Sequence, residues 1–112
     1  MNTAYKANWN STKLTWEVAI EEPQGDRMAV VHKEANVVCP MLMNIGINFV
    51  EASVGEYNSK PLLLIVNPLY WVDNESTILA WLVESNIKAV LNGMVLEFDN
   101  KEDKLMFMLR WA

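Results

Sequence analysis

Val90-Leu91-Asn92-Gly93-Met94-Val95-Leu96, with the segment 99–111 behind it, decides how this chain is read. Asn-Gly between apolar flanks is the strongest short-range hairpin signal, because both residues tolerate the positive φ of a type I′ turn. Strands are therefore expected at 88–91 and 94–98. Asp99 and Glu102 follow at capping-box spacing. Their carboxylates can accept from amides that a new helix leaves unpaired, which predicts a helix over 100–110. Leu105, Phe107, Leu109 and Trp111 also alternate, so a terminal strand competes with that helix.

Working back from the hairpin, Asp73-Asn74-Glu75-Ser76 places cap-type side chains and negative charge before Ile78, Leu79, Trp81, Leu82 and Val83. This predicts a helix over 75–85. The continuous apolar run Leu62 to Val66 follows a proline and reads as a buried strand over 61–66, closed by Asn67-Pro68. The polar stretch 55–60 reads as a loop. Residues 38–54 fit helix and strand equally: Pro40 suits a first helical turn, whereas Gly46, Ile45, Ile47, Val50 and Val54 favour a strand. Leu14, Trp16, Val18 and Ile20 alternate with Thr15, Glu17, Ala19 and Glu21, giving a strand over 13–21. Pro23-Gln24-Gly25-Asp26 then turns the chain into a second strand over 27–34. Residues 1–12 read as an irregular arm, in which Tyr5 and Trp9 would align if it became helical.

The expected architecture is α+β: an antiparallel sheet with two or three helices packed on one face, an arm over 1–12 and a single domain over 13–112. With 112 residues, one core is expected to bury roughly two-thirds of the unfolded chain's surface. Apolar residues make up 52% of the chain, with five Trp and seven Met. That is more large apolar material than a small interior accommodates, which points to a subunit or partner interface. Tyr5, Trp9, Tyr70 and Trp71 are the interface candidates. The last two are expected on a loop between Asn67-Pro68 and the acidic cap.

Charge and motif content narrow the function. A net charge of −5, with nine scattered Lys and Arg, disfavours a grip on a phosphate backbone, even with aromatics available for stacking. Fourteen acids against nine bases also make a poor mimic of nucleic acid. Cys39 and His32 are each alone of their kind. They leave no intrachain disulfide, too few ligands for structural zinc, and a reducing cytoplasmic setting as the expectation. A Cys–His nucleophile pair would need the two within hydrogen-bond reach. Glu21-Glu22 with Asp26, and Asp99 with Glu102 and Asp103, are the acidic groups that could hold a hard cation or supply acid–base chemistry. Acids are favoured beside a turn and at a helix start in any case. Gly25, Gly46, Gly55 and Gly93 form neither a phosphate loop nor a dinucleotide fingerprint. Residues 1–13 contain no apolar leader core, and no run approaches the ~20 apolar residues of a membrane span.

Phe98-Asp99-Asn100-Lys101-Glu102-Asp103-Lys104-Leu105-Met106-Phe107-Met108-Leu109-Arg110-Trp111 resembles the acidic-then-apolar ending of small uncharacterised proteins encoded by marine tailed phages. The resemblance implies a viral or environmental source, with an infected host's cytoplasm as the setting, and transfers no catalytic residue. The residues themselves support a non-enzymatic interaction or assembly module, homo-oligomeric or bound to another protein, with no cofactor, metal, nucleic acid or membrane. The alternative is a small ligand binder or enzyme whose pocket is floored by Trp71 and Trp81, with Asp99, Glu102 or Asp103 as a metal-assisted polar group.

Overall fold

The computed structural model of the chain describes residues 5–55 and 60–112. Their elements run β1 (Lys6–Asn10), β2 (Thr15–Gln24), β3 (Arg27–Glu34), α1 (Ala35–Asn44), β4 (Phe49–Ser53), β5 (Leu62–Ile65), α2 (Pro68–Glu84), β6 (Ala89–Asn92), β7 (Val95–Phe98) and α3 (Lys101–Trp111). The strands form one sheet in the order β3-β2-β1-β4-β5-β7-β6. All neighbours are antiparallel except β1 and β4, which run parallel. The fold is α+β as expected, with a wider sheet. Part of the expected loop, residues 56–59, lies outside the described residues.

Both expected hairpins form. Gln24 pairs with Arg27 and Asn92 with Val95, leaving Gly25-Asp26 and Gly93-Met94 as the central turn residues. In each turn the glycine, at φ 65° and 64°, holds the first central position, which is type II′ geometry. The Asn92-Gly93 turn is thus displaced by one residue from the expected type I′ pair, because Asn92 is used for pairing.

The ambiguous stretch 38–54 contains both structures. Helix α1 continues through Pro40 to Asn44. It ends where Gly46, at φ 82°, lets the Gly46 amide donate to Met43 and the Ile47 amide to Leu42, a Schellman closure. The β-branched residues beyond it then enter β4. Helix α2 ends the same way, with Asn86 at φ 57° and the Ile87 amide donating to the Leu82 carbonyl at 2.9 Å.

The α2 start lies upstream of the acidic cluster. Asn67 is the cap, its Oδ1 accepting from the Tyr70 amide at 3.1 Å, and Pro68 occupies the first helical turn. A proline there lacks only an N–H that would have no helical partner. Tyr70-Trp71 therefore sits in the first turn of α2 rather than on a loop. At α3 the cap is Asn100, not Asp99: Asn100 Oδ1 accepts from the Asp103 amide at 2.8 Å. Asp99 lies one residue too early and pairs with Lys60 instead. The terminal segment is helical, so its alternation is incidental.

Residues 6–10 are not an irregular arm. They form β1, between β2 and β4, where Ala7 is 1% exposed. In the sequence the alternation of Tyr5, Ala7 and Trp9 is masked by Asn8 and Asn10, which face away from the core.

Two apolar clusters lie on opposite faces of the sheet. Leu63, Ile65, Leu96 and Phe98 pack with α2 and α3; Leu62, Leu64, Val95, Val18 and Ile20 pack with Val38 and Leu42 of α1. Helices thus cover both faces, correcting the expectation of one. The α2–α3 cluster centres on Phe107, whose ring lies 5.2 Å from Phe49 and 5.4 Å from Phe98. Lys104 reaches Glu51 at 3.3 Å and ties α3 to β4.

Two stability outcomes follow in urea unfolding. Phe107→Ala is expected to cost about 3–5 kcal/mol, since the vacated ring volume is enclosed and cannot collapse fully. Asn100→Ala is expected to cost about 1 kcal/mol, and Asp99→Ala less, which distinguishes the observed cap from the expected one.

Candidate functional site

The four interface candidates do not form one surface. Trp71 is 7% exposed within the α2–α3 core, and Tyr70 packs half-buried against it, edge-on to Phe49 at 6.0 Å. Tyr5 and Trp9 project to the other side of the sheet. There Tyr5 packs on the α1 cluster, and Trp9 pairs across the strands with Trp16. Their rings meet edge-to-face at 5.5 Å.

Three of the acidic candidates, Glu22, Asp99 and Asp103, have structural partners. Asp99 accepts from Lys60 Nζ at 3.4 Å, and Asp103 accepts from Asn100 Nδ2 at 3.4 Å while its amide closes the α3 cap. Glu102 is exposed in the first turn of α3, a position the helix dipole favours. Glu22 pairs with Lys33. Among the described residues, no group of three His, Cys, Asp or Glu side chains converges in a way that could hold a metal ion. Trp71 and Trp81 do not floor a pocket with these acids: Trp81 stacks edge-on against Phe107 and Trp111 at 6.2 Å, filling the space inside the core.

Cys39 and His32 also lie apart. Val18 and Ile20 of β2 face α1, so their neighbour Ala19 faces away, and so does His32, which is Ala19's partner in register. Cys39 is on α1. The sheet stands between them, and a Cys–His pair does not form.

What the structure does assemble is a hollow of about 470 Å³ on the α1 face. Trp9 and Trp16 form one wall and Cys39 and Pro40 of α1 another; Leu64 and Val66 lie in the floor, with Met94 at one side. Leu14 stands at the rim, 70% exposed and at φ 56°. Burial pushes the Cys39 thiol above its ordinary range, so the lining is neutral there. Trp16 packs partly buried at the edge of the α1-side core, and its place beside Trp9 depends on the pairing of β1 with β2.

A second feature is the outer surface of α2. Leu69, Val72, Leu79 and Val83 are all exposed, and with Ser76 they recur at alternating spacings of three and four. That spacing generates a heptad seam along one side of a helix. Trp71, Ile78 and Leu82 on the inner side fill the core. No described helix is long and apolar enough to cross a membrane.

Compared with protein-family models, curated proteins and solved structures, the chain matches none.

The state of Cys39 yields a measurable sign. Its thiol is protonated more readily in the folded than in the unfolded chain. Its contribution to stability is therefore complete below the ordinary thiol pKa and is lost as pH rises through the raised folded value. Alkylation of native protein at mildly alkaline pH should be slower than in urea; equal rates would mean that the thiol is not shielded.

Proposed function

We propose that the protein is a non-enzymatic interaction and assembly module that pairs with a second copy of itself through the outer face of α2. The supporting observation is the exposed seam of Leu69, Val72, Leu79 and Val83, with Leu69 at 70% and Val83 at 80% exposure. A helix packed on a sheet needs one apolar side, and α2 has a second.

Two antiparallel copies centred on Ser76 would bring Leu69 opposite Val83 and Val72 close to Leu79, with the short serine allowing close approach. Burying a Val or Leu side chain contributes roughly 1.5–3 kcal/mol, so the side chains of two seams can offset an association cost of about 4–15 kcal/mol. The balance suits micromolar pairing. Helix α2 carries Asp73, Glu75 and Glu84 and no Lys or Arg, so acids from both copies would flank the seam and weaken it at low ionic strength.

Light scattering at micromolar concentration is expected to give twice the chain mass, with association tightening as salt is added. The double substitution Val72→Lys/Leu79→Lys, confined to exposed positions, should leave the fold intact and weaken association at least about a hundredfold. A strict monomer at high salt would sink the reading.

A further inference from the structure

We propose that the hollow between the Trp9–Trp16 pair and α1 is a binding site for a small uncharged aromatic molecule of about two fused rings. The site lies on the face of the sheet opposite the α2 seam and does not depend on the pairing proposed there.

Strand register decides which side chains enter. Trp9 and Trp16 are direct partners, two residues along from the Ala7–Val18 pair, and therefore share its α1-side face. Leu64 and Val66 belong to the same cluster, and Cys39 and Pro40 of α1 bound the opposite side. Glu34 also borders the hollow. Its register partner is Glu17, on the face turned away from α1, so its carboxylate stays outside. Among the described residues, no charged side chain enters. An ion of either sign would lose water there without gaining a partner, and the lining thus selects a neutral occupant.

Size and shape set the rest. About 470 Å³ falls within the ~300–1,000 Å³ of small-molecule sites, which are mostly apolar. An apolar cavity of ~150 Å³ already takes benzene, so a second ring fits. The two indoles stand at 64° with centroids 5.5 Å apart, and both are only partly buried. Ring surface is left for the offset and edge-to-face contacts that aromatic groups prefer.

Leu14 supplies an independent reason to expect a ligand. A left-handed backbone is costly for a residue with a Cβ, and Gly or Asn would hold φ 56° more easily. The chain instead carries a large apolar side chain there, largely exposed and adding nothing to either core. At the rim of the hollow it would close over an apolar body.

The test titrates the isotope-labelled chain at neutral pH with naphthol, the N-methylquinolinium cation and the naphthoate anion, following the indole N–H signals by NMR. Saturable shifts are expected at Trp9 and Trp16 but not at the enclosed Trp71, with naphthol bound at least about tenfold more tightly than either ion. Bound naphthol should also slow alkylation of Cys39 in proportion to occupancy. Cys39→Phe, at a partly exposed position, should fill the hollow and abolish naphthol binding. Leu14→Asn should raise the unfolding midpoint and weaken naphthol binding, which keeps the test decisive where the larger side chain disturbs folding. The Val72→Lys/Leu79→Lys chain should bind naphthol unchanged, so failure of the α2 pairing is separable from failure here. Tightest binding by either ion, shifts at Trp71 in place of Trp9 and Trp16, alkylation of Cys39 insensitive to naphthol, or no saturable shift with naphthol would each overturn the proposal.

Discussion

Four consecutive apolar residues, Leu62-Leu63-Leu64-Ile65, all buried, impose the layout of this molecule. Because side chains alternate across a strand, Leu62 and Leu64 must be covered on one face and Leu63 and Ile65 on the other. No single layer of helices can do both. The chain answers with α1 on one side and α2 with α3 on the other, each pair of leucine-strand residues joining a separate cluster. With its amides and carbonyls tied to β4 and β7, β5 becomes the wall between two cores.

The cover is uneven, and this links fold to function. Helices shield β4, β5 and β7, whereas on β1 to β3 the face turned away from α1 carries Lys6, Asn8, Glu17 and His32, as an antiparallel sheet with one wet face does. On the α1 side, the β1–β2 hairpin is held by Asn10, whose Oδ1 accepts from the Thr12 and Lys13 amides at 3.0 Å. The hairpin carries Trp9 and Trp16 to the edge of α1 without closing the gap, leaving the hollow. On the other side, the α2–α3 core is filled by rings from Phe49, Phe98, Phe107 and Trp111, so the outer residues of α2 have nothing among the described residues to pack against.

Helix ends show how local chemistry was both readable and easy to misplace. Asn67, Asp73, Ser76, Asp99 and Asn100 are all plausible caps, and a cap is defined by the geometry of the amides it meets rather than by its type. Asn67 and Asn100 make those bonds. A helix beginning at residue 75 would exclude Leu69 and Val72, and with them the heptad seam; the Asn67 cap includes both. The indoles divide similarly. Trp71 and Trp111 are core, as their surroundings in α2 and α3 require, while Trp9 and Trp16 are half-exposed because their strands extend past the end of α1's cover.

By itself the sequence determined the elements whose signal is local. These are the glycine-bearing hairpins at Gly25 and Gly93, the buried strand before Asn67, the body of α2 and the α+β class. Only the tertiary structure decided the entry of β1 into the middle of the sheet, the placing of α1 opposite α2 and α3, and the separation of Cys39 from His32 by the sheet. It also decided the meeting of Trp9 with Trp16 over Leu64. The physical reason is range. Turn dihedrals, caps and periodicity act within a few residues, whereas a polar-looking strand such as Lys6–Asn10 gains its stability from neighbours as distant in sequence as Glu51 to Ser53, and which face a residue serves follows from that pairing.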